Sequence, residues 1–285
     1  MLRLGAHESI AGHFYRAVDR AQSVGCDAVQ IFVKPNRAWA FNSLTEADVV
    51  RFRARVEETG IRPVVGHASY LLNLASPDEE LWRRSRDTLI EELKRCQRLG
   101  AIGLVLHLGS HVGTGERAGL ARAAQALGQV HMATPEVRAQ ILLETTAGQG
   151  DILGYRFEQL AWMLENTPQG DRLGICLDTC HVFAAGYDLR SPADYWATMA
   201  AFERTVGLGR LRALHLNDSR YGLGSRRDRH EHIGQGFIGL EGFRNVLNDP
   251  RLEGLPGLLE TPKSSDLHED AENLAVLRSL EEAAP

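Results

Sequence analysis

The chain has 285 residues, 44% apolar and 24% charged, with a formal net charge of −5, which suits a soluble globular protein large enough to bury a sizeable core. It contains no run of about 18 apolar residues, so a spanning helix is excluded, and its acidic balance argues against a generic DNA-coating protein, which would be basic overall. Nucleic acid itself is not excluded, because bound divalent cations lie outside that count and can reverse the sign locally.

The first stretch, MLRLGAHESIAGHF, lacks the apolar core and cleavage site of a signal peptide. Cys26, Cys96, Cys176 and Cys180 are too few and too scattered for a disulfide scaffold, and CLDTC is not a zinc-ribbon spacing. We expect reduced, buried cysteines and a cytoplasmic protein.

Short apolar runs alternate with longer amphipathic stretches at a period of roughly 35 residues, the spacing of strand–helix units. The strand candidates are 2–6, 27–33, 61–66, 102–106, 139–143, 173–177, 211–214 and 256–259. Gly25 and Gly60 fit the ends of the first two helices. In the third, Ser76 is expected to cap, Pro77 suits the first helical position and Glu79 closes a capping box. Leu89, Ile90, Leu93 and Cys96 keep helical spacing, and Gly100 ends the helix. Ser191-Pro192 opens a later helix in the same way. Eight strands alternating with helices, without a linker, predict a single α/β domain over 1–285: a (β/α)8 TIM barrel.

The residues that follow the eight runs are His7, Lys34, His67, His107, Glu144, Asp178, His215 and Glu260. The last six are all metal-ligand types, although Asp, Glu and His together make up only about one residue in six of the chain. Alone, a histidine after a strand is commonly a hydrogen-bonded core residue, and a carboxylate there is commonly a helix cap. Together they converge on the mouth of the barrel where strands end and active sites sit. Carboxylates gathered there without partners would cost several kcal/mol per ion, on the order expected for buried charge, and divalent metal is the simplest compensation.

Two local spacings extend the set. Asp178 and His181 are neighbours if a helical turn follows their strand. Asp228 and His230 share a face if DRH is extended. The candidates are then His67, His107, Glu144, Asp178, His181, His215, Asp228, His230 and Glu260. One ion takes about three or four protein ligands, so nine with one bridging carboxylate suit three ions. Mixed imidazole and carboxylate donors favour zinc, with manganese or iron as alternatives at some sites.

Seven motifs in order carry a family resemblance: GAHES (5–9), HASYLLNLASP (67–77), HLGSHVG (107–113), LLETTAGQG (142–150), CLDTCHVFAAGYDLR (176–190), the HLNDS and GSRRDRHEHIGQGFIG segments (215–239) and LLETP (258–262). Over nearly its whole length the chain resembles the endonuclease IV family of apurinic/apyrimidinic (AP) endonucleases. The resemblance implies a trinuclear zinc site. One ion would be held by His67, His107 and Glu144. A second would share Glu144 and add Asp178, His215 and Glu260. The third would be held by His181, Asp228 and His230. Such a cluster carries about +2, and three zinc ions would shift the whole chain from −5 to about +1.

The implied reaction is hydrolysis of the phosphodiester 5′ to an abasic site, leaving a 3′-hydroxyl and a 5′-deoxyribose phosphate, with trimming of blocked 3′ ends beside it. Glu144 is the expected catalytic residue, a shared ligand that also guides a proton. The implied partner is double-stranded DNA bearing abasic sites or blocked 3′ ends, met by a monomer with no membrane contact. The same resemblance places Arg37, Tyr70 and Leu71 in the minor groove, and Arg226 and Arg229 near phosphate with Arg227 beside them. The chain departs from the usual family pattern at Leu108, in KPNRAW, at His13 and at Glu231. None of these is a candidate ligand; they touch only the details of DNA contact. Rival readings are a sugar isomerase or epimerase with a single ion, a non-catalytic binder of damaged DNA, and a UV-damage endonuclease.

Overall fold

The computed structural model describes residues 1–282, so the expected 1–285 domain runs three residues beyond them. Eight strands pair in parallel and close on themselves: β1 (Arg3–Glu8), β2 (Ala28–Phe32), β3 (Val64–His67), β4 (Gly103–Leu106), β5 (Gln140–Glu144), β6 (Leu173–Asp178), β7 (Leu211–His215) and β10 (Pro256–Leu259), the last returning to β1. Parallel neighbours require long crossovers. These are supplied by α1 (Tyr15–Ser23), α2 (Glu46–Thr59), α3 (Glu79–Leu99), α4 (Glu116–Ala133), α5 (Phe157–Asn166), α7 (Pro192–Thr205) and α8 (Gly239–Leu247), while α9 (His268–Leu280) follows β10. Two insertions sit after strand ends: the short α6 (Thr179–Ala185), and an antiparallel ribbon of β8 (Asp218–Ser219) with β9 (His230–Glu231).

The expected strands are all present, with shifted edges. The largest shift is at β3, which begins at Val64 rather than Ile61, since Pro63 has no N–H to give to the ladder. The third helix also starts later than expected. Its cap is Asp78, whose carboxylate accepts from Leu81 N at 2.8 Å. Ser76 Oγ is engaged two residues on by Asp78 N at 3.1 Å, so Ser76 makes a turn and Glu79 closes no capping box. Ser191 caps α7 as expected, accepting from Asp194 N at 3.2 Å with Pro192 first in the helix. All four cysteines are buried and free.

Strand alternation divides the barrel wall. One set of residues faces the helices and forms the main core. The other forms a small separate cluster enclosed by the strands: Ala28, Val65, Val105, Leu142, Cys176, Ala213 and Leu258, one from each of seven strands. The eighth strand is level with Ala28 and Leu258 at Gly5. A Cβ there would lie 2.0 Å from the Ala28 carbonyl oxygen, so only glycine lets the strands approach this closely.

Lys34 follows β2 but does not reach the barrel mouth. Its ammonium is buried 3.8 Å from Glu92 Oε1 on α3 and donates to the carbonyls of Pro35 and Ala38. Burial pushes Glu92 up to about 7 against the pull of Lys34. Glu92 also accepts from Ser69 N at 3.2 Å, and Ser69 Oγ donates to Asn36 O at 2.7 Å, so the pair ties together the loops after β2 and β3. Glu92→Leu leaves a buried ammonium unpaired and is expected to cost about 3–5 kcal/mol. In urea, the unfolding midpoint should fall with an unchanged slope. Adding Lys34→Met should recover most of the loss; strictly additive effects would show that the two groups do not interact.

Candidate metal centre

Two residues beyond each member of the enclosed apolar layer, alternation brings the next inward-facing side chain. From Gly5, Ala28, Val65, Val105, Leu142, Cys176, Ala213 and Leu258 this step gives His7, Gln30, His67, His107, Glu144, Asp178, His215 and Glu260. Every strand contributes one polar residue to the same level. Six are sequence candidates for ligands. The place on β2 belongs to Gln30, not to Lys34, because β2 ends at Phe32 and the chain turns away before Lys34.

Glu144 stands in the middle. Its Oε2 lies 2.8 Å from His107 Nε2 and 3.4 Å from His67 Nε2. Its Oε1 lies 3.0 Å from His215 Nδ1 and 3.2 Å from His181 Nδ1. His215 Nδ1 is also 3.3 Å from Glu260 Oε2 and 3.7 Å from Asp178 Oδ2. Two convergent groups result, His67–His107–Glu144 and Glu144–Asp178–His215–Glu260, with Glu144 common to both.

Asp178 caps α6, accepting from His181 N at 2.8 Å, which sets the two side chains beside one another. The ribbon carries Asp228 and His230 back over the mouth. Asp228 Oδ1 is 3.1 Å from His181 Nε2 and 3.6 Å from His230 Nε2. Asp178 also reaches this third group, with Oδ2 3.7 Å from His230 Nε2. Asp178, His181 and His230 are themselves close enough to share an ion. All nine candidates are therefore brought together, and Asp178 lies between two of the groups.

The donor set fits metal. His67 Nδ1 faces Ala68 O at 2.7 Å, His181 Nδ1 faces Thr145 O at 2.8 Å and His230 Nδ1 faces Glu260 O at 3.0 Å. Each carbonyl can only accept, so each ring places one proton on Nδ1 and keeps Nε2 as the position for a metal ion or a second proton. These three Nε2 atoms and Glu144 Oε2 are buried without a hydrogen-bond partner. An imidazole anchored at one nitrogen and unpartnered at the other is the arrangement of a metal ligand. The separations agree as well: ligands about 2.1 Å from a tetrahedral zinc ion stand about 3.4 Å apart.

Burial opposes charge on Glu144, Glu260, Asp228, His107, His181 and His215, and the neighbours overrule it. Glu144 is held well below the carboxylate range by His107 and His215 despite burial. Glu260 is lowered against burial by His215 and His7. His107 is raised against burial by Glu144, and His181 by Asp178 and Asp228. His215 is raised in the same way, by Cys176 first and then by Glu260 and Glu144. In the metal-free protein, imidazolium protons thus supply the positive charge that the carboxylates require. His7 differs: burial lowers it to about 4, so it is neutral.

The mouth opens into a pocket of about 270 Å3 lined by His67, Tyr70, His107, His181, Asp228 and Glu260, among others. A larger cavity of about 990 Å3 lies beside it, behind His7 and Lys34, and not over the carboxylate–imidazole cluster. Tyr70 is 57% exposed and sets its ring edge-on to His67 at 5.3 Å, so it rises from the cluster as a rim. Leu71 is half-buried next to it, and Arg37 is exposed on the neighbouring loop. Trp39 lies under the Arg84 guanidinium. Arg226, Arg227 and Arg229 are exposed and line a recess with Gln149, Tyr221 and Ser225. Arg226 is held by its Nε donating to Gly148 O at 2.9 Å and by stacking on Tyr155.

Sequence reasoning passed over four polar residues of the site. Gln30 braces Glu260 and His215. Asn217 Nδ2 donates to Asp178 Oδ2 at 2.7 Å while its Oδ1 accepts from Glu260 N at 2.8 Å. Thr145 Oγ1 accepts from Asp178 N at 2.9 Å. Asp218 is buried and gathers the backbone N–H groups of Ser219, Gly234, Gly236 and Ile238 within 3.0 Å, which shapes the loop after the ribbon. Gly236 is obligatory there, since a Cβ would meet Asp218 Oδ1 at 2.5 Å. The one sequence signal was Gln30 itself, a lone amide inside an otherwise apolar strand.

A family model for the xylose isomerase-like TIM barrel matches residues 18–281. A probable endonuclease 4 of Chloroflexus aurantiacus is 51% identical over 284 residues, covering 100% of both chains. A probable endonuclease 4 of Geobacter sulfurreducens is 47% identical, covering 97% of this chain and 94% of its own. The crystal structure of endonuclease IV from Thermus thermophilus superimposes with a TM-score of 0.87 at 42% identity, covering 98% of each chain. Set on a closed barrel with its polar residues gathered at the mouth, likeness at this level and over this length has one meaning: the chain belongs to the endonuclease IV family of enzymes, within the xylose isomerase-like TIM barrels.

Proposed function

We propose that this single-domain protein is a DNA-repair endonuclease that hydrolyses the phosphodiester 5′ to an abasic site, leaving a 3′-hydroxyl and a 5′-deoxyribose phosphate, and that it also trims blocked 3′ ends. The observation that carries this reading is the set of buried, unpartnered imidazole nitrogens that face Glu144 and Asp228. His67, His107, Glu144, Asp178, His181, His215, Asp228, His230 and Glu260 would hold three zinc ions. When bound, such ions supply Lewis acidity, drawing charge from phosphate oxygens and making water more acidic.

The chain's own groups do the rest. Glu144 offers one carboxylate oxygen to each side of the cluster, so it fixes the spacing of both halves and stands where a proton must be guided. Arg37, Arg226 and Arg229 present guanidinium groups to phosphate, and Tyr70 with Leu71 forms an apolar wedge at the rim. An abasic nucleotide has no base to unstack, so drawing it into the 270 Å3 pocket costs least at the damaged position. A mononuclear sugar isomerase or epimerase needs only a group such as Glu144, Asp178, His215 and Glu260; it leaves five converging ligands without a task.

The purified monomer is expected to nick a synthetic abasic duplex without added magnesium, and elemental analysis of the same sample should give about three zinc ions per chain. An intact duplex in the presence of fully zinc-loaded protein, or a content of one ion, would overturn the proposal.

A further inference from the structure

The polar layer of the barrel has eight places, and six of them hold proposed ligands. His7 and Gln30 fill the other two, at the ends of β1 and β2. Gln30 is fully buried. Its Oε1 lies 2.9 Å from His215 Nε2, and its Nε2 lies 2.6 Å from Glu260 Oε1 and 2.9 Å from His7 Nδ1. One amide therefore touches two proposed ligands of the same ion, and the one neighbouring imidazole outside the ligand set.

The donors and acceptors fix its orientation. An ionised Glu260 only accepts, so the amide nitrogen must face it and the amide oxygen must face His215. That oxygen accepts only, so His215 must carry a proton on Nε2. The nitrogen left for the ion is then Nδ1, the atom that points at Glu144, Glu260 and Asp178. His7 Nδ1 lies 2.9 Å from the amide nitrogen and 3.0 Å from Glu260 Oε1; with its Nε2 unpartnered, it donates to the carboxylate and braces the same oxygen as the amide.

We propose that Gln30 is a positioning residue that sets the tautomer of His215 and the rotamer of Glu260, and so tunes zinc affinity at the ion shared by Glu144, Asp178, His215 and Glu260. The inference rests on the three-zinc reading. Gln30 touches no group of the other two sites, so its effect is confined to one ion. Outer partners of this kind are worth about 10–100-fold in metal affinity.

The test measures three zinc dissociation constants by competition with a chromophoric chelator, and the visible spectrum of the cobalt-substituted protein. Gln30→Met keeps the length of the side chain and removes both hydrogen-bonding groups. One constant should rise about 10–100-fold and one cobalt band should shift, with the other two sites unchanged. Gln30→Glu keeps the acceptor for His215 but sets a like charge against Glu260, and should weaken the same ion. Long-range nitrogen–proton NMR of the zinc-loaded wild-type protein needs no variant and should find the His215 proton on Nε2. Three unchanged constants in Gln30→Met, or the proton on Nδ1, would overturn the inference while leaving the three-zinc reading intact. A wild-type protein that takes up no zinc would overturn both.

Discussion

Glu144→Gln is expected to lower single-turnover cleavage of an abasic duplex by about 10⁴-fold, the scale seen when one member of a mutually dependent catalytic set is removed, or about 5.5 kcal/mol in the barrier. The substitution keeps shape and volume, so the barrel should fold. What it removes is the second carboxylate oxygen. In the native protein Oε2 serves His107 and His67 while Oε1 serves His215 and His181. A glutamine presents an NH2 group to one of these sides, and NH2 neither binds a cation nor accepts from an imidazolium. Zinc content should fall below three, with the deficit at the His67–His107 or the Asp178–His215–Glu260 group. Circular dichroism of the metal-free variant should match the wild type. A variant that cleaves within tenfold of the wild type would remove Glu144 from the centre of the mechanism.

Much of this site was legible because the barrel repeats one rule eight times. An inward apolar residue is followed, two positions later, by an inward polar one, and in the last six units that polar residue ends an apolar run visible in sequence. The rule holds at β2 too, but there the inward polar residue, Gln30, interrupts the run, and the run's apparent end points to Lys34 instead. Lys34 instead meets Glu92 across the barrel wall, a partner 58 residues away that no spacing links to it. The DRH spacing placed Asp228 and His230 on one extended segment. What carries that segment back over the mouth is its pairing with Asp218 and Ser219, and Asp218's grip on the loop beyond is a tertiary contact with no periodic signature. Asn217 and Thr145 escaped for the same reason: they act on ligands through single hydrogen bonds, and neither residue type is distinctive in a loop. The third helix shows the local version of this limit. Ser76 and Asp78 can both cap, and the choice fell to Asp78, whose carboxylate reaches the N–H of Leu81 and adds negative charge at the helix start.

Stripping zinc with a chelator should abolish cleavage and lower the melting temperature, and the size of that drop should depend on pH in a sense fixed by the cluster. Each ion present at about 1,000 times its dissociation constant adds about 4 kcal/mol, on the order of 10 °C in a domain of this size. Zinc must displace the protons of His107, His181 and His215. Because their folded-state pKa values are raised, their contribution to the metal-free fold is complete below the ordinary imidazole value of about 6.5 and is lost as pH rises through the raised values. The lowered carboxylates of Glu144, Glu260 and Asp228 behave oppositely. Their contribution is present above the ordinary carboxylate range and is lost only as pH falls through their depressed values, so they stay ionised between about pH 5 and 8 and do not limit zinc uptake. The gap between zinc-loaded and metal-free melting temperatures should therefore widen as pH rises from 5.5 to 8, since acid favours the protonated imidazoles and base favours the ion that replaces them. Titrating zinc in two buffers of different ionisation enthalpy should show net proton release. A gap independent of pH, or zinc uptake without proton release, would mean that these imidazoles are not the groups the metal displaces.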